Sequence, residues 1–199
     1  MNTHQTSSQS GFTLIETVIA ILILSLAVGS LITLAASGFF TIRYARNQIV
    51  ADNLAQEALE YVRNDRDTAF LQGSDWATWL STLTVDDDGM PTGDFDAGCF
   101  SEDGCSVDPY TSSAKMLACD GDCPKTVLFP DEGFYGYEGG VYPFNQLVDA
   151  QPVETSYART LHVSLPTPDQ LLVEVTVEWL NGSAHRSITQ STLVANVAL

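Results

Sequence analysis

The apolar residues of this chain are distributed unevenly along its length. From Thr17 to Ile42 the sequence has no charged residue, and almost every side chain is apolar, glycine, serine or threonine. This run of about 26 residues is long enough to cross the hydrocarbon core of a bilayer as one helix. The pattern therefore predicts a single membrane-spanning helix near the N-terminus.

Helical periodicity continues past the apolar run. Good helix formers extend to about Leu71, and Gly73 then provides a stop. We expect one helix over about residues 12–72, apolar on all sides in its first half and amphipathic in its second. An amphipathic helix is marginal alone in water, so its apolar stripe must pack on another element. The stripe consists of Ala51, Leu54, Ala55, Ala58 and Val62.

A short second helix is predicted directly after this stop. Ser74 can cap a helix on which four apolar side chains share one face, namely Trp76, Trp79, Leu80 and Leu83. We interpret the two tryptophans as packing residues rather than as a stacking surface for a ligand.

The clearest strands come last in the chain. Alternation of apolar and polar residues predicts strands over 157–165, 171–180 and 184–194, and Asn181-Gly182 is a hairpin turn between the last two. The middle strand has one apolar and one polar face, which suits a sheet with one side in water. An antiparallel meander over residues 157–194, with the amphipathic helix across its apolar face, is an α+β fold.

The charge of the chain is strongly negative. The formal net charge is −17, and between Asp67 and Glu154 the only basic residues are Lys115 and Lys125. Such a surface repels a phosphate backbone, so direct contact with nucleic acid is not expected. We interpret the excess charge as keeping an exported domain soluble, with binding of divalent cations as the alternative.

Four cysteines lie in one loop-rich stretch within residues 86–140. An even number beyond a membrane segment predicts two disulfides formed in an oxidising compartment. A zinc site of four thiolates and free thiols are the alternatives, although the spacings fit zinc ribbons poorly. The spacing leaves the pairing open, and short strands are expected nearby at 126–129 and 134–137. The cysteines are Cys99, Cys105, Cys119 and Cys123.

The aspartates before Gly89 are candidates for calcium. Asp86 and Asp88 are spaced like the first ligands of a calcium loop, but no glutamate follows at the distance that a twelve-residue loop requires. A solvated loop is therefore the default interpretation. We predict no cofactor, and calcium is the open alternative.

Glu16 stands out in the apolar N-terminal region. A carboxylate near the start of a membrane helix is costly, and such residues usually have a function and a partner. The surrounding sequence reads Gly11-Phe12-Thr13-Leu14-Ile15-Glu16, behind a leader without lysine or arginine. This segment resembles the prepilin peptidase site of type IV pilins and of type II secretion pseudopilins.

The resemblance implies a role for each residue of the motif. It implies cleavage after Gly11 by prepilin peptidase and methylation of the new terminus at Phe12, with Glu16 as the acidic residue. In a filament, Glu16 would pair with the Phe12 amine of a neighbouring subunit, so that each charge offsets the desolvation of the other. The pilin fold is implied as well, with a long N-terminal helix packed on a C-terminal antiparallel β-sheet.

The resemblance also implies a domain organisation and a location. Residues 1–11 are the leader, 12–42 the transmembrane and assembly half of the helix, and 43–199 the soluble pilin domain. The chain would cross the inner (cytoplasmic) membrane once, with its C-terminal domain outside the cytoplasm, and then enter an extracellular or periplasmic filament. The implied partners are prepilin peptidase, other pilin subunits, the inner-membrane pilus assembly machinery and, before assembly, the lipid bilayer.

Two features depart from the common pattern of that family. Arg43 and Arg46 follow the apolar run, and counting positive charges would favour the opposite orientation. The motif outweighs this count, because its cleavage demands a cytoplasmic leader. No proline precedes Pro91, whereas many major pilins have one in the hydrophobic helix. The cysteine region is also similar to minor pilins of the pilus-modification type, so we expect a minor pilin.

No catalytic motif is found in the sequence. There is no nucleophile motif, no phosphate-binding glycine loop and no paired-histidine metal motif. His162 and His185 lie on predicted neighbouring strands, where histidines are mostly packing or surface residues. We therefore expect a structural protein rather than an enzyme. The alternatives are a pseudopilin of a type II secretion or DNA-uptake machine and a membrane-tethered binding or adhesion module.

Overall fold

The computed structural model describes residues 11, 13–110, 116–121, 123–129, 134–136 and 153–196. The chain divides into two compact units, Met1–Ala45 and Arg46–Leu199. Helix α1 spans Leu14–Leu71 and begins in the first unit; the second unit holds the rest of α1 and all other described elements. This agrees with the helix that the sequence predicts over about residues 12–72.

The C-terminal end of α1 has a defined cap. The backbone N–H of Ser74 donates to Ala69 O at 2.9 Å, and that of Gly73 donates to Phe70 O at 3.0 Å. Gly73 has φ +87°, a left-handed conformation that glycine adopts without a Cβ penalty. These two bonds form a Schellman motif, which explains why the helix ends at the predicted glycine.

Helix α2 spans Trp76–Ser81, and its cap differs from the prediction. Asp75, not Ser74, is the N-cap, because Asp75 Oδ1 accepts a hydrogen bond from the Thr78 N–H at 2.7 Å. The Thr78 N–H lowers the pKa of the Asp75 carboxyl. Ser74 is instead used by the cap of α1, which immediately precedes α2. The tryptophans of α2 pack as predicted, with the rings of Trp76 and Trp79 5.1 Å apart.

Within the described residues, seven strands form one antiparallel sheet. The strands are β1 (Cys105–Val107), β2 (Met116–Ala118), β3 (Lys125–Phe129), β4 (Phe134–Gly136), β5 (Val153–Thr167), β6 (Gln170–Asn181) and β7 (Ala184–Ala195). Strands β1 and β3 both pair with one edge of β5, β2 pairs with β1, and β4 pairs with β3. Strand β6 pairs with the other edge of β5, and β7 pairs with β6.

The predicted meander is present as β5, β6 and β7. Strand β6 pairs with β7 from Gln170↔Ala195 to Asn181↔Ala184, so the two residues of the hairpin turn are Gly182 and Ser183, one position later than the predicted Asn181-Gly182. Strand β5 begins earlier than predicted, because Leu128 of β3 supplies a partner for Val153. On the same side, β1 contacts β5 further along through Cys105↔Leu161. The short strands of the cysteine region thus extend the meander past β5.

The core of the second unit lies between α1 and the inner face of the sheet. The predicted stripe of α1 is buried, and Ala51, Ala55, Ala58 and Val62 have no exposed surface. The inward residues of β6 belong to the same apolar cluster and include Val173, Val175 and Val177. Burial of a valine or leucine side chain stabilises a fold by about 1.5–3 kcal/mol. This contact supplies the tertiary packing that the amphipathic half of α1 requires.

The four cysteines form two short-range disulfides. Cys99 pairs with Cys105, and Cys119 pairs with Cys123. A 3₁₀ helix over Gly98–Phe100 places Cys99 beside β1. Gly98 has φ +60°, and a Cβ there would lie 2.4 Å from the Val85 backbone nitrogen, so this bend requires glycine. The pairing that the sequence left open is thus between neighbours in the chain.

Candidate functional site

The motif residues of the N-terminal segment lie at the start of α1. Gly11 precedes the helix and is exposed, and a Cβ at this position would have no atom within 4 Å. The packing of the described chain therefore places no demand on glycine at position 11. If glycine is required at position 11, the requirement comes from a molecule that binds this segment. Phe12, the predicted methylation site, lies outside the described residues.

Glu16 lies in the first turn of α1. Its backbone N–H donates to Thr13 O at 3.1 Å, and Thr17 N–H donates to the same oxygen at 3.3 Å. The unpaired N–H groups of a helix start carry partial positive charge, so a carboxylate in this turn is favourably placed. Among the described residues Glu16 has no ion-pair partner. The side chain is exposed and open to a cation from another molecule.

The hydroxyl groups of the apolar half of α1 bond within the helix. Ser25 donates to Ile21 O at 2.7 Å, and Thr33 donates to Gly29 O at 3.0 Å. The same kind of bond is made by Thr17, Ser30, Ser37 and Thr41. A polar group in a bilayer costs little when it is satisfied inside its own helix. The serines and threonines are therefore compatible with a membrane span.

Helix α1 has the length and composition of a membrane span. Within the part of the chain that the structure describes, it is the one helix that is long and apolar enough, and an 18-residue window has mean hydropathy 2.7. Large apolar side chains remain exposed from Leu14, at 82%, to Ile42, at 65%. Such a continuous apolar surface needs lipid or other apolar helices around it.

Arg159 is a buried charge that the sequence analysis did not single out. It faces inward from β5 with no exposed surface, and its Nη1 lies 2.6 Å from Glu57 Oε2 of α1. The same nitrogen donates to Leu54 O at 3.0 Å, and Nη2 donates to Val107 O. One signal was available in the sequence, because Arg159 interrupts the inward alternation of Tyr157 and Leu161.

The calcium candidates take part in a tight turn. Asp86 Oδ1 accepts hydrogen bonds from Met90 N–H at 2.7 Å and from Asp88 N–H at 3.1 Å. Over the described ranges, no three His, Cys, Asp or Glu side chains are grouped so that they would hold a metal ion. Asp86 thus has a structural role in the loop, and calcium binding stays a prediction.

The two strand histidines line one shallow cavity on the outer face of the sheet. This cavity has a volume of about 420 Å³, and its lining includes Lys125, Glu178 and both His162 and His185. His162 Nε2 lies 2.9 Å from Glu102 O, a backbone oxygen that holds the ring in place. Within the residues that the structure describes, no hydroxyl or thiol forms a hydrogen bond with either imidazole, so this pair shows no activated nucleophile.

A second cavity, also of about 420 Å³, lies beside the last turns of α1. Its walls include Tyr61 and Asp65 of α1, Trp79 of α2, and Val85 and Met116. Asp65 Oδ2 accepts a hydrogen bond from Trp79 Nε1 at 2.9 Å. Burial, and secondarily the charge of Asp65, raises the pKa of the Tyr61 phenol. This cavity therefore has a mixed polar and apolar lining with a single carboxylate.

Comparison with known families bears on the N-terminal segment. The family model described as the prokaryotic N-terminal methylation motif matches residues 6–36. The match includes Gly11, Phe12 and Glu16 and continues into the apolar half of α1. Neither a curated protein nor a solved structure matches the chain. The resemblance of the N-terminal segment is thus confirmed, and with the apolar helix it indicates a membrane-anchored, single-pass chain.

Proposed function

We propose that this type IV pilin-like protein is a minor pilin, a structural subunit that enters or primes a type IV pilus after processing by prepilin peptidase. One observation carries the proposal. The methylation motif at residues 6–36 includes the start of an apolar helix, and the second half of this helix packs in the core of a folded domain. A chain of this design has a segment for the membrane and the filament and a separate unit for the exterior.

Processing would change the charge at the start of α1. Hydrolysis of the bond after Gly11 releases the leader and leaves an ammonium group on Phe12, and a methyl donor then supplies a methyl group in place of one of its protons. The apolar helix stays intact, so the product remains in the membrane until it is extracted. Gly11 is exposed and does not pack against the chain, which would allow the peptide bond after it to enter the active site of a peptidase.

Assembly would use the new charge together with Glu16. A carboxylate in the first turn of α1 that has no cation within the described residues can pair with the methylated amine of a neighbouring subunit. Each charge lowers the cost of removing the other from water, and a single pair defines one axial register. The partners in this step are other pilin subunits and the inner-membrane assembly machinery.

The orientation follows from the same chemistry. Cleavage by prepilin peptidase places the leader in the cytoplasm, so the second unit with its two disulfides lies outside, in an oxidising compartment. Arg43 and Arg46 would then lie at the outer end of the span. A lipid bilayer surrounds the apolar half of α1 until other helices in a filament replace it.

The N-terminus of the mature protein tests this proposal. We expect mass spectrometry of the protein from its native membrane to find a chain that starts at N-methylated Phe12. A Gly11→Val variant should keep the leader, because a branched side chain at the cleaved bond obstructs the peptidase. Ser10→Ala, one residue earlier, is the matched control and should be processed normally. A wild-type chain that starts at Met1 would refute the proposal.

A pseudopilin of a secretion or DNA-uptake machine remains the alternative, because its N-terminal motif is the same. The two differ in where the subunit is found. A minor pilin is expected in filaments sheared from the cell surface, whereas a pseudopilin stays with the envelope fraction. A membrane-tethered adhesion module without assembly would leave Glu16 without a role.

A further inference from the structure

We propose that the cavity beside the last turns of α1 is a docking site for a lysine side chain of a neighbouring pilin subunit, with Asp65 as its ion-pair partner. The inference rests on the proposed function, because it requires a neighbouring subunit. It concerns a surface of the second unit, far along the chain from the methylation motif at residues 6–36.

The described residues around the cavity leave the Asp65 carboxylate without a cation. Asp65 receives one hydrogen bond, from Trp79 Nε1, and has no ion-pair partner among the described residues. The nearby arginines of α1 are engaged elsewhere, since Arg63 pairs with Glu60 at 2.5 Å and Arg66 pairs with Asp67 at 2.6 Å. Among the described residues, this half-buried carboxylate of a chain with net charge −17 therefore has no counter-charge.

The hydrogen bonding of Asp65 favours lysine over arginine. An arginine fork pairs best with a carboxylate when both oxygens are available. Here Oδ2 already accepts the Trp79 N–H, which leaves Oδ1 as the readily available acceptor. A lysine ammonium is a compact point charge that pairs well with one oxygen. The geometry at Asp65 therefore matches an ammonium group.

The walls of the cavity match the rest of a lysine side chain. Ala69, Val85 and Met116 supply apolar surface against which a four-carbon stem packs while its charged end reaches a carboxylate. Tyr61 lines the same space, and its raised pKa keeps the phenol neutral beside the ion pair. Thr68 and Gln72 are exposed at the rim, so the cavity opens to the outer side of α1.

Zero-length cross-linking tests the contact directly. A water-soluble carbodiimide joins a carboxylate to an amine in contact with it; an amide forms, and the carbodiimide takes up the water. We expect cross-linking of pili and membranes from cells making the full-length protein to give a peptide that joins Asp65 to a lysine of another pilin subunit. A bond from Asp65 to Lys115 of the same chain, or no bond from Asp65, would overturn the inference.

Matched variants separate this contact from a general charge effect. Asp65→Asn is isosteric and keeps an oxygen for the Trp79 N–H, so the fold should persist and the disulfides should form. We expect at least threefold less Asp65→Asn protein in sheared pili. Asp65→Glu should be close to wild type, and Asp87→Asn, a loop carboxylate outside the cavity, should be unchanged. Equal incorporation of Asp65→Asn and Asp87→Asn would contradict the inference.

The proposed function and the docking site fail in different ways. A wild-type chain that keeps its leader sinks the minor pilin and with it the docking site, which requires a neighbouring pilin subunit. Normal processing without an Asp65 cross-link sinks only the docking site.

Discussion

Arg159 and Glu57 form an ion pair across the interface between sheet and helix, with Arg159 Nη1 2.6 Å from Glu57 Oε2. The arginine has no exposed surface, whereas the glutamate side chain is 25% exposed. A charge that is fully buried must be paired and hydrogen-bonded, or its desolvation destabilises the fold by several kcal/mol. The pair therefore fixes where along α1 the centre of β5 sits.

The first prediction is that neutralising Glu57 destabilises the second unit. In Glu57→Gln the buried guanidinium of Arg159 keeps its hydrogen bonds to Leu54 O and Val107 O but loses its ion pair with Glu57. We expect a loss of about 3 kcal/mol in the free energy of unfolding, the lower end for a broken buried pair, because Glu57 is partly exposed. Denaturant unfolding of the full chain in detergent, followed by tryptophan fluorescence, measures this loss.

Glu60→Gln provides the control for this measurement. Glu60 lies one turn further along α1 and pairs with Arg63 at the surface. Exposed pairs contribute about 0–1 kcal/mol, so this variant should remain close to wild type. Equal losses for the two variants would show that the position of Arg159 does not matter.

A second prediction concerns stability at alkaline pH. Burial raises the pKa of Tyr61, so the folded chain holds this proton after the unfolded chain has released it above about pH 10. The unfolded state then binds fewer protons than the folded state, and stability falls as the pH rises. We expect Tyr61→Phe to flatten this fall, as measured by unfolding at several pH values above about 9.

Tyr110→Phe is the comparison for the alkaline experiment. Burial is also the main cause of the raised pKa of Tyr110, but this residue is 40% exposed. Tyr110→Phe should flatten the fall of stability with rising pH less than Tyr61→Phe does. A steeper effect for Tyr110 would contradict the burial of the Tyr61 phenol.

Peptide mapping tests the disulfide pairing. Trypsin cleaves after Lys115 and so separates the Cys99–Cys105 pair from the Cys119–Cys123 pair. Without reduction we expect two separate peptides, each two hydrogens lighter than its reduced form. Either of the other two connectivities would join the peptides into one species, which reduction would split.

The fourth prediction concerns Glu16. Glu16→Gln keeps the shape of the side chain but removes the charge that is proposed to pair with a neighbouring Phe12 amine. We expect normal cleavage after Gly11 and at least a tenfold loss of the subunit from sheared pili. Ser25→Ala, a polar-to-apolar change further along the same helix, should have no such effect. A Glu16→Gln subunit that assembles like the wild type would sink the ion-pair role.

The elements with a regular apolar period could be predicted from the sequence. Apolar residues recur at helical spacing from Ala51 to Val62 and at every second position of β6. Each apolar position in such a pattern therefore marks the same face of its element. The start of α2 was harder to predict, because Ser74 and Asp75 are adjacent and both are good caps. The Schellman bond of the Ser74 N–H to Ala69 O decided between them.

The sequence by itself determined the N-terminal motif, the apolar span and the α+β arrangement, because each is written in local spacing. Tertiary structure alone decided which cysteines pair, since Cys99 meets Cys105 only when a 3₁₀ turn brings it back to β1. It also placed Arg159 against Glu57, which lies 102 positions away in the sequence, and Asp65 against Trp79, which lies 14 positions away. Such contacts depend on the packing of whole elements, and no local pattern encodes which side chains that packing brings together.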